Sequence, residues 1–288
     1  MKKPVLHVII TVLFFTACER VIDVDLNVAA AALVVEGRIL KDAPAFVELH
    51  ETSSYFTPDT QRCVCSALVL IRENDGPADT LEQIAPGKFR SNIIYGKEGS
   101  NYTLEILYRD QVFSAESFLG PEPQIYSLTQ RTFASFGDFG DSSSFGFGDG
   151  LLDSLPSFLF TNIYDDPDTE NYYRFEYYVN GEMRTGRYFV SDDENAEEDT
   201  LKYSPGPTAL FDPGDTVTVC VYAIDSGVHD YFDMLNDALS SNSFFSSTPY
   251  NPHSNISNGA LGYFSAMSSA CLSTVIVFTP FIPGIGGQ

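Results

Sequence analysis

The chain of 288 residues has no tryptophan, 16 lysines and arginines, four histidines and five cysteines. Each scarcity excludes something. Nucleic-acid binding needs clustered cations against phosphate, and no basic cluster follows Lys2 and Lys3. The 39 acidic residues set a formal charge of −23, which also opposes docking on an anionic membrane surface. Sugar sites often use aromatic platforms, and without tryptophan only the 16 tyrosines and 23 phenylalanines are there to supply them. Charged residues are only 19% of the chain and hydrophobic residues 44%, so wholesale disorder is excluded despite the acidity.

The N-terminus reads as an address. Lys2 and Lys3 precede an apolar stretch, Val5 to Phe15. It is shorter than the roughly 20 residues that span a bilayer and fits the apolar core of an export signal. Phe15-Thr16-Ala17-Cys18 then resembles a lipobox, with Phe15 where leucine is usual. The expectation is a signal peptide over 1–17, cleavage before Cys18, and acylation of Cys18 with palmitate-type chains. Each buried methylene contributes about 0.8 kcal/mol, so more than one chain anchors stably in outer-membrane lipid. Loss of Lys2 and Lys3 takes the formal charge from −23 to −25. Residues 18–30 form an acidic tether; Glu19, Asp23 and Asp25 loosely match surface-export signals, so a cell-surface position is expected.

From residue 31 short alternating segments succeed one another: 33–39, 45–50, 66–72, 80–84, 88–92, 102–108 and 111–117. Asp75-Gly76, Pro86-Gly87 and Arg109-Asp110 punctuate them as turns. The spacing predicts a mainly β fold, with an Ig-like or prealbumin-like β-sandwich over 31–120. Gly120-Pro121-Glu122-Pro123 marks a stiff boundary. A second β-rich domain with one amphipathic helix follows over 121–288. Within it, 131–157 is an insertion rich in Phe, Gly and Ser. Its Phe133, Phe136, Phe139, Phe145 and Phe147 read as a loop or as a partner-docking surface. Strands are expected over 171–179, in a return strand including 187–190, over 216–224 and over 272–278. Asn180-Gly181 gives the strongest hairpin signal. Val228 to Leu239 has helical spacing.

The chemistry-bearing residues form no catalytic signature. His50, His229 and His253 fall in different segments, and neither a Gly-x-Ser-x-Gly elbow nor His-Glu-x-x-His occurs. No enzymatic activity and no cofactor are expected; a hydrolase using His229 or His253 is the less favoured alternative. Asp166, Asp168 and Glu170 alternate as weak Ca²⁺ candidates, but no glycine stands at the sixth place of an EF-hand loop. Besides Cys18, Cys63, Cys65, Cys220 and Cys271 allow three pairings. A Cys63–Cys65 bond would be strained. Cys220 and Cys271 either pair or serve as small core residues.

Several ordered segments together resemble one family of Bacteroidota lipoproteins, the domain-of-unknown-function 4249 family. They are Leu33-Val34-Val35-Glu36-Gly37, Pro86-Gly87-Lys88-Phe89-Arg90-Ser91, Gly99-Ser100-Asn101-Tyr102-Thr103-Leu104, Asp166-Pro167 with Asn171-Tyr172-Tyr173-Arg174, and Phe211 to Val217. The most specific is Asn251-Pro252-His253-Ser254-Asn255-Ile256 followed by Asn258-Gly259-Ala260-Leu261-Gly262-Tyr263-Phe264. This box departs from the family pattern at His253 and Asn258. It reads either as a structural closure or as a binding loop built on Asn251, His253, Asn255, Asn258, Tyr263 and Phe264. Members of the family are typically encoded beside TonB-dependent receptors. The resemblance therefore implies an accessory lipoprotein that helps such a transporter capture or take up a substrate. A structural or assembly role in the envelope is the alternative.

Overall fold

Residues 31–53, 62–132, 156–240 and 251–277 are described by a computed structural model. The expected leader, Cys18, the tether and the five insertion phenylalanines lie outside these residues.

Alternation turns directly into strands. In β1 (Leu33–Leu40), Leu33, Val35, Gly37 and Ile39 face inward. Strands β2 (Pro44–Glu51), β3 (Arg62–Cys63), β4 (Leu68–Glu73), β5 (Ala78–Thr80), β6 (Glu82–Ala85), β7 (Lys88–Tyr95), β8 (Asn101–Tyr108) and β9 (Gln111–Phe118) follow. After Gly120–Pro123 come β10 (Gln124–Thr132), β11 (Ser157–Tyr164), β12 (Tyr172–Val179), β13 (Glu182–Met183), β14 (Phe189–Asp192), β15 (Thr200–Tyr203) and β16 (Thr216–Ile224). Helix α1 (Ser226–Ser240) and β17 (Leu261–Val275) complete the described elements. The fold is mainly β, with several sheets and this one α-helix among the described residues.

A long sheet runs in the order β13-β12-β16-β17-β1-β2-β7-β6, with β14 beside β12 and β3 beside β2. The strands β5-β4-β8-β9 and β10-β11-β15 make two further sheets. The first core lies between the long sheet and the β4/β8/β9 layer, with Val35, Ile39, Val47, Leu49, Ile71, Leu104 and Ile106 almost fully buried. Each such side chain contributes about 1.5–3 kcal/mol by leaving water. That core also takes Ile256, Ala260, Phe264 and Ala266 from the far end of the chain. A second core gathers Leu159, Phe175, Tyr177, Phe211, Val219 and Val221. Helix α1 lays Val228 and Phe232 against Ile224 and Met267.

Strand β17 ties these parts together. Its first half pairs in parallel with β1 and its second half antiparallel with β16. The β16-β17-β1 order thus joins strands from either side of the Pro121–Pro123 segment. Two glycines permit the parallel contact. A Cβ on Gly262, at φ +93°, would stand 1.9 Å from the Val35 carbonyl oxygen. A Cβ on Gly37 would stand 2.9 Å from the Phe264 ring.

Two expectations need correction, and three strands were not expected. The buried strand expected over 272–278 is the half-exposed end of a longer one running from Leu261 to Val275. A parallel partner lies far away in sequence, so local periodicity does not reveal it. The return strand at 187–190 is split: β13 closes the Asn180-Gly181 hairpin, and β14 then pairs further back along β12. Strands β10, β11 and β15 were not anticipated. The hairpin turn itself matches its sequence signal, with φ of 53° at Asn180 and 86° at Gly181.

Candidate functional site

The box at 251–264 is mostly committed to holding the fold. Asn255 donates its Nδ2 to the Phe264 carbonyl at 2.7 Å and accepts the Phe264 N–H at 3.0 Å. Phe264 is fully buried. Tyr263 packs against Tyr231 and Phe232, with ring centroids 5.4 and 4.9 Å apart. Asn258, in the left-handed region, donates to the Val112 carbonyl. The Ser257 hydroxyl receives the Ser114 N–H at 2.8 Å, while the Ser257 N–H returns to the Ser114 carbonyl at 2.8 Å. The box therefore covers the outer edge of β9. Asn251 and His253 stay exposed, so the six candidates do not converge on one binding surface.

The other candidates are also dispersed. His50 lies on β2 and His253 in the loop before β17. On α1, the His229 ring lies 5.3 Å from that of Tyr172, and its Nδ1 is 3.3 Å from Asp230 Oδ1. Cys220 and Cys271 form a disulfide across directly paired positions of β16 and β17. Cys63 and Cys65 are free and exposed. Asp166 Oδ1 accepts the Asp168 N–H at 3.1 Å, which makes a turn rather than an ion cradle. Among the described residues no group of three or more His, Cys, Asp or Glu is placed to hold a metal. Asp166, Asp168 and Glu170 do not form such a group.

The structure instead presents a groove of about 560 Å³ that the sequence did not single out. Its walls come from four places: Phe118 at the end of β9, Pro121–Gln124, Tyr164 with the 166–171 loop and the start of β12, and Ala223–Ser226 where β16 passes into α1. Phe118 and Tyr164 are 45% and 49% exposed, so two large rings face solvent where a core would hide them. Tyr172 adds further aromatic surface, and Tyr173 also borders the groove but is buried. The carboxylates are Glu122, Asp166, Glu170 and Asp225, and no Lys, Arg or His is among the described residues of the lining. A smaller hollow of about 300 Å³ shares Thr169 and Glu170 and adds Asp165, Asp168, Asp193 and Glu198.

The carboxylates have different duties. Asp225 accepts the Ser117 hydroxyl and the Phe118 N–H, and its backbone carbonyl receives the Val228 and His229 N–H groups that open α1. Burial pushes its carboxyl above the ordinary value, and the Ser117 and Phe118 bonds oppose that rise. Glu122 is bound by Lys41 at 3.2 Å. Asp165 is buried beneath the groove wall and receives the Tyr173 hydroxyl at 3.0 Å. Its pKa is raised by burial and by Asp193, against the pull of Tyr173 and Asn171. Asp166 and Glu170 are exposed. The groove can hold a ligand between rings and carboxylates. The sequence signals near it were the proline punctuation, the alternating Asp166, Asp168 and Glu170, and the Asn171-Tyr172-Tyr173-Arg174 segment.

The sequence model of the family described as Domain of unknown function (DUF4249) matches residues 19–272, and the chain belongs to that family. No curated protein matches the chain.

Proposed function

We propose that this protein is an outer-membrane lipoprotein, anchored through acylated Cys18, that serves a TonB-dependent transporter as an accessory binding partner in substrate capture or uptake. The observation that carries the reading is the order Lys2-Lys3, apolar Val5–Phe15, then Thr16-Ala17-Cys18 at the head of a chain of this family. Its physical logic is local concentration. A lipid-anchored module is confined near the barrel it serves, so a modest ligand affinity is enough to raise occupancy at the pore. The groove beside Tyr164 is the place where such a module would hold its ligand. The absence of a catalytic motif in the sequence favours binding over turnover.

Metabolic labelling with a palmitate analogue tests the anchor. Label is expected in the full chain, and the Cys18→Ser variant is expected to lose it and leave the outer-membrane fraction. Unlabelled native protein would overturn the anchored reading.

A further inference from the structure

We propose that the groove takes a small organic cation: an amine, amidinium or guanidinium group carried on a flat apolar body. The inference rests on the reading of this groove as the capture site. Two features of the wall select that chemistry independently.

The first is the rings. Phe118 and Tyr164 line the groove and are about half exposed, and neither belongs to a buried core. An aromatic face attracts a cation through its quadrupole by about 0.5–1 kcal/mol at exposed sites and by more when water is excluded. It also stacks well on a planar apolar body. The second is charge. Asp166 and Glu170 sit exposed on the lining, and Asp168, Asp193 and Glu198 continue the same sign into the adjoining hollow. No base stands among the described lining residues to neutralise them. The chain as a whole carries a formal charge of −23, so its field draws cations toward the groove and repels anions.

The start of α1 is the one feature that would favour an anion, because the first turn of a helix offers unpaired N–H groups. Asp225 stands ahead of it and supplies negative charge at that spot. A neutral polyol is the other competitor. Gln124, Tyr164 and Ser226 on the lining offer donors to such a neutral ligand, and benzamide binding as tight as benzamidine marks that outcome.

Titration calorimetry on the full chain in mild detergent tests this with three isosteric probes: benzamidine, benzamide and benzoate. The expected result is saturable one-to-one binding of benzamidine, at least about tenfold tighter than benzamide, with no detectable benzoate binding. Raising the salt should weaken benzamidine and leave benzamide unchanged. Glu170→Gln and Tyr164→Ala, both exposed, should each weaken benzamidine about threefold or more while keeping the wild-type melting temperature. Equal binding of benzamidine and benzamide would overturn the proposal. So would benzamidine binding unchanged in both variants, or no saturable binding. Co-purification of a barrel reports on the transporter reading separately. A barrel without benzamidine binding defeats only the cation; benzamidine binding without a barrel defeats only the partner.

Discussion

The Ser117 hydroxyl donates to the Asp225 carboxylate while its oxygen accepts the Ala266 N–H at 2.7 Å. One side chain on β9 thereby fastens the start of α1 and the middle of β17. These three residues are distant in sequence and add a polar tie to the apolar contact between the β4/β8/β9 layer and the rest of the molecule.

Ser117→Ala removes both bonds at once and leaves a buried N–H at Ala266 unpaired. An unsatisfied buried group costs about 1–3 kcal/mol. The expected result is a loss of that size in urea unfolding, with the secondary structure unchanged by circular dichroism. Wild-type stability in the variant would show that water replaces the hydroxyl without cost.

Asp225 should make stability pH-dependent. Its carboxyl lies above the ordinary 3.8 in the folded protein, chiefly because of burial. The folded state therefore holds the proton more tightly than the unfolded chain. The stabilisation from this group is fully present below the unfolded value and is lost as pH rises through the raised one. Comparison with Asp225→Asn isolates the effect. The stability of the wild type relative to the variant should fall as pH climbs from the unfolded value to neutrality. A pH-independent difference would contradict the raised carboxyl.

Asn255→Ala separates the two readings of the 251–264 box. The side chain is bonded to both backbone groups of Phe264, so its loss should lower stability by about 1–3 kcal/mol. Benzamidine affinity should not move, because Asn255 is not part of the groove lining. Lost affinity at unchanged stability would make the box a binding edge after all.

The Cys220–Cys271 bond closes a loop across a sequence separation of 51. Chain entropy assigns such a closure about 4 kcal/mol, and measured effects usually run lower. The double variant Cys220→Ser/Cys271→Ser should unfold about 2–4 kcal/mol more easily. Its exposed Cys63 and Cys65 should react with a thiol reagent before unfolding, in the variant and the wild type alike.

The sequence made legible whatever is local. Alternation located β1, β2, β8, β9, β12 and β16, and the helical spacing of 228–239 located α1 within one or two residues at its ends. Asn180-Gly181 marked its turn correctly because left-handed backbone has a strong residue preference. What depends on distant partners was hidden. The parallel union of β1 with Leu261–Met267 shows only as two otherwise unexplained glycines, Gly37 and Gly262. In β11, Ser157, Phe158, Leu159, Thr161, Asn162 and Ile163 are all buried, so no period-two signal survives. The groove was invisible for the same reason. Phe118, Pro121, Tyr164, Glu170 and Asp225 come from separate segments, and no local signal says that they meet. The conspicuous box at 251–264 is largely spent on closing the fold.

The most direct test of the central claim is recovery of the native complex. The chain is tagged at its C-terminus, expressed in its own envelope, extracted in mild detergent and purified, alongside a control complex known to survive extraction. The account expects a TonB-dependent outer-membrane barrel in stoichiometric amount, lost when Cys18→Ser removes the anchor. Recovery of the protein alone, with the control complex intact, would contradict it.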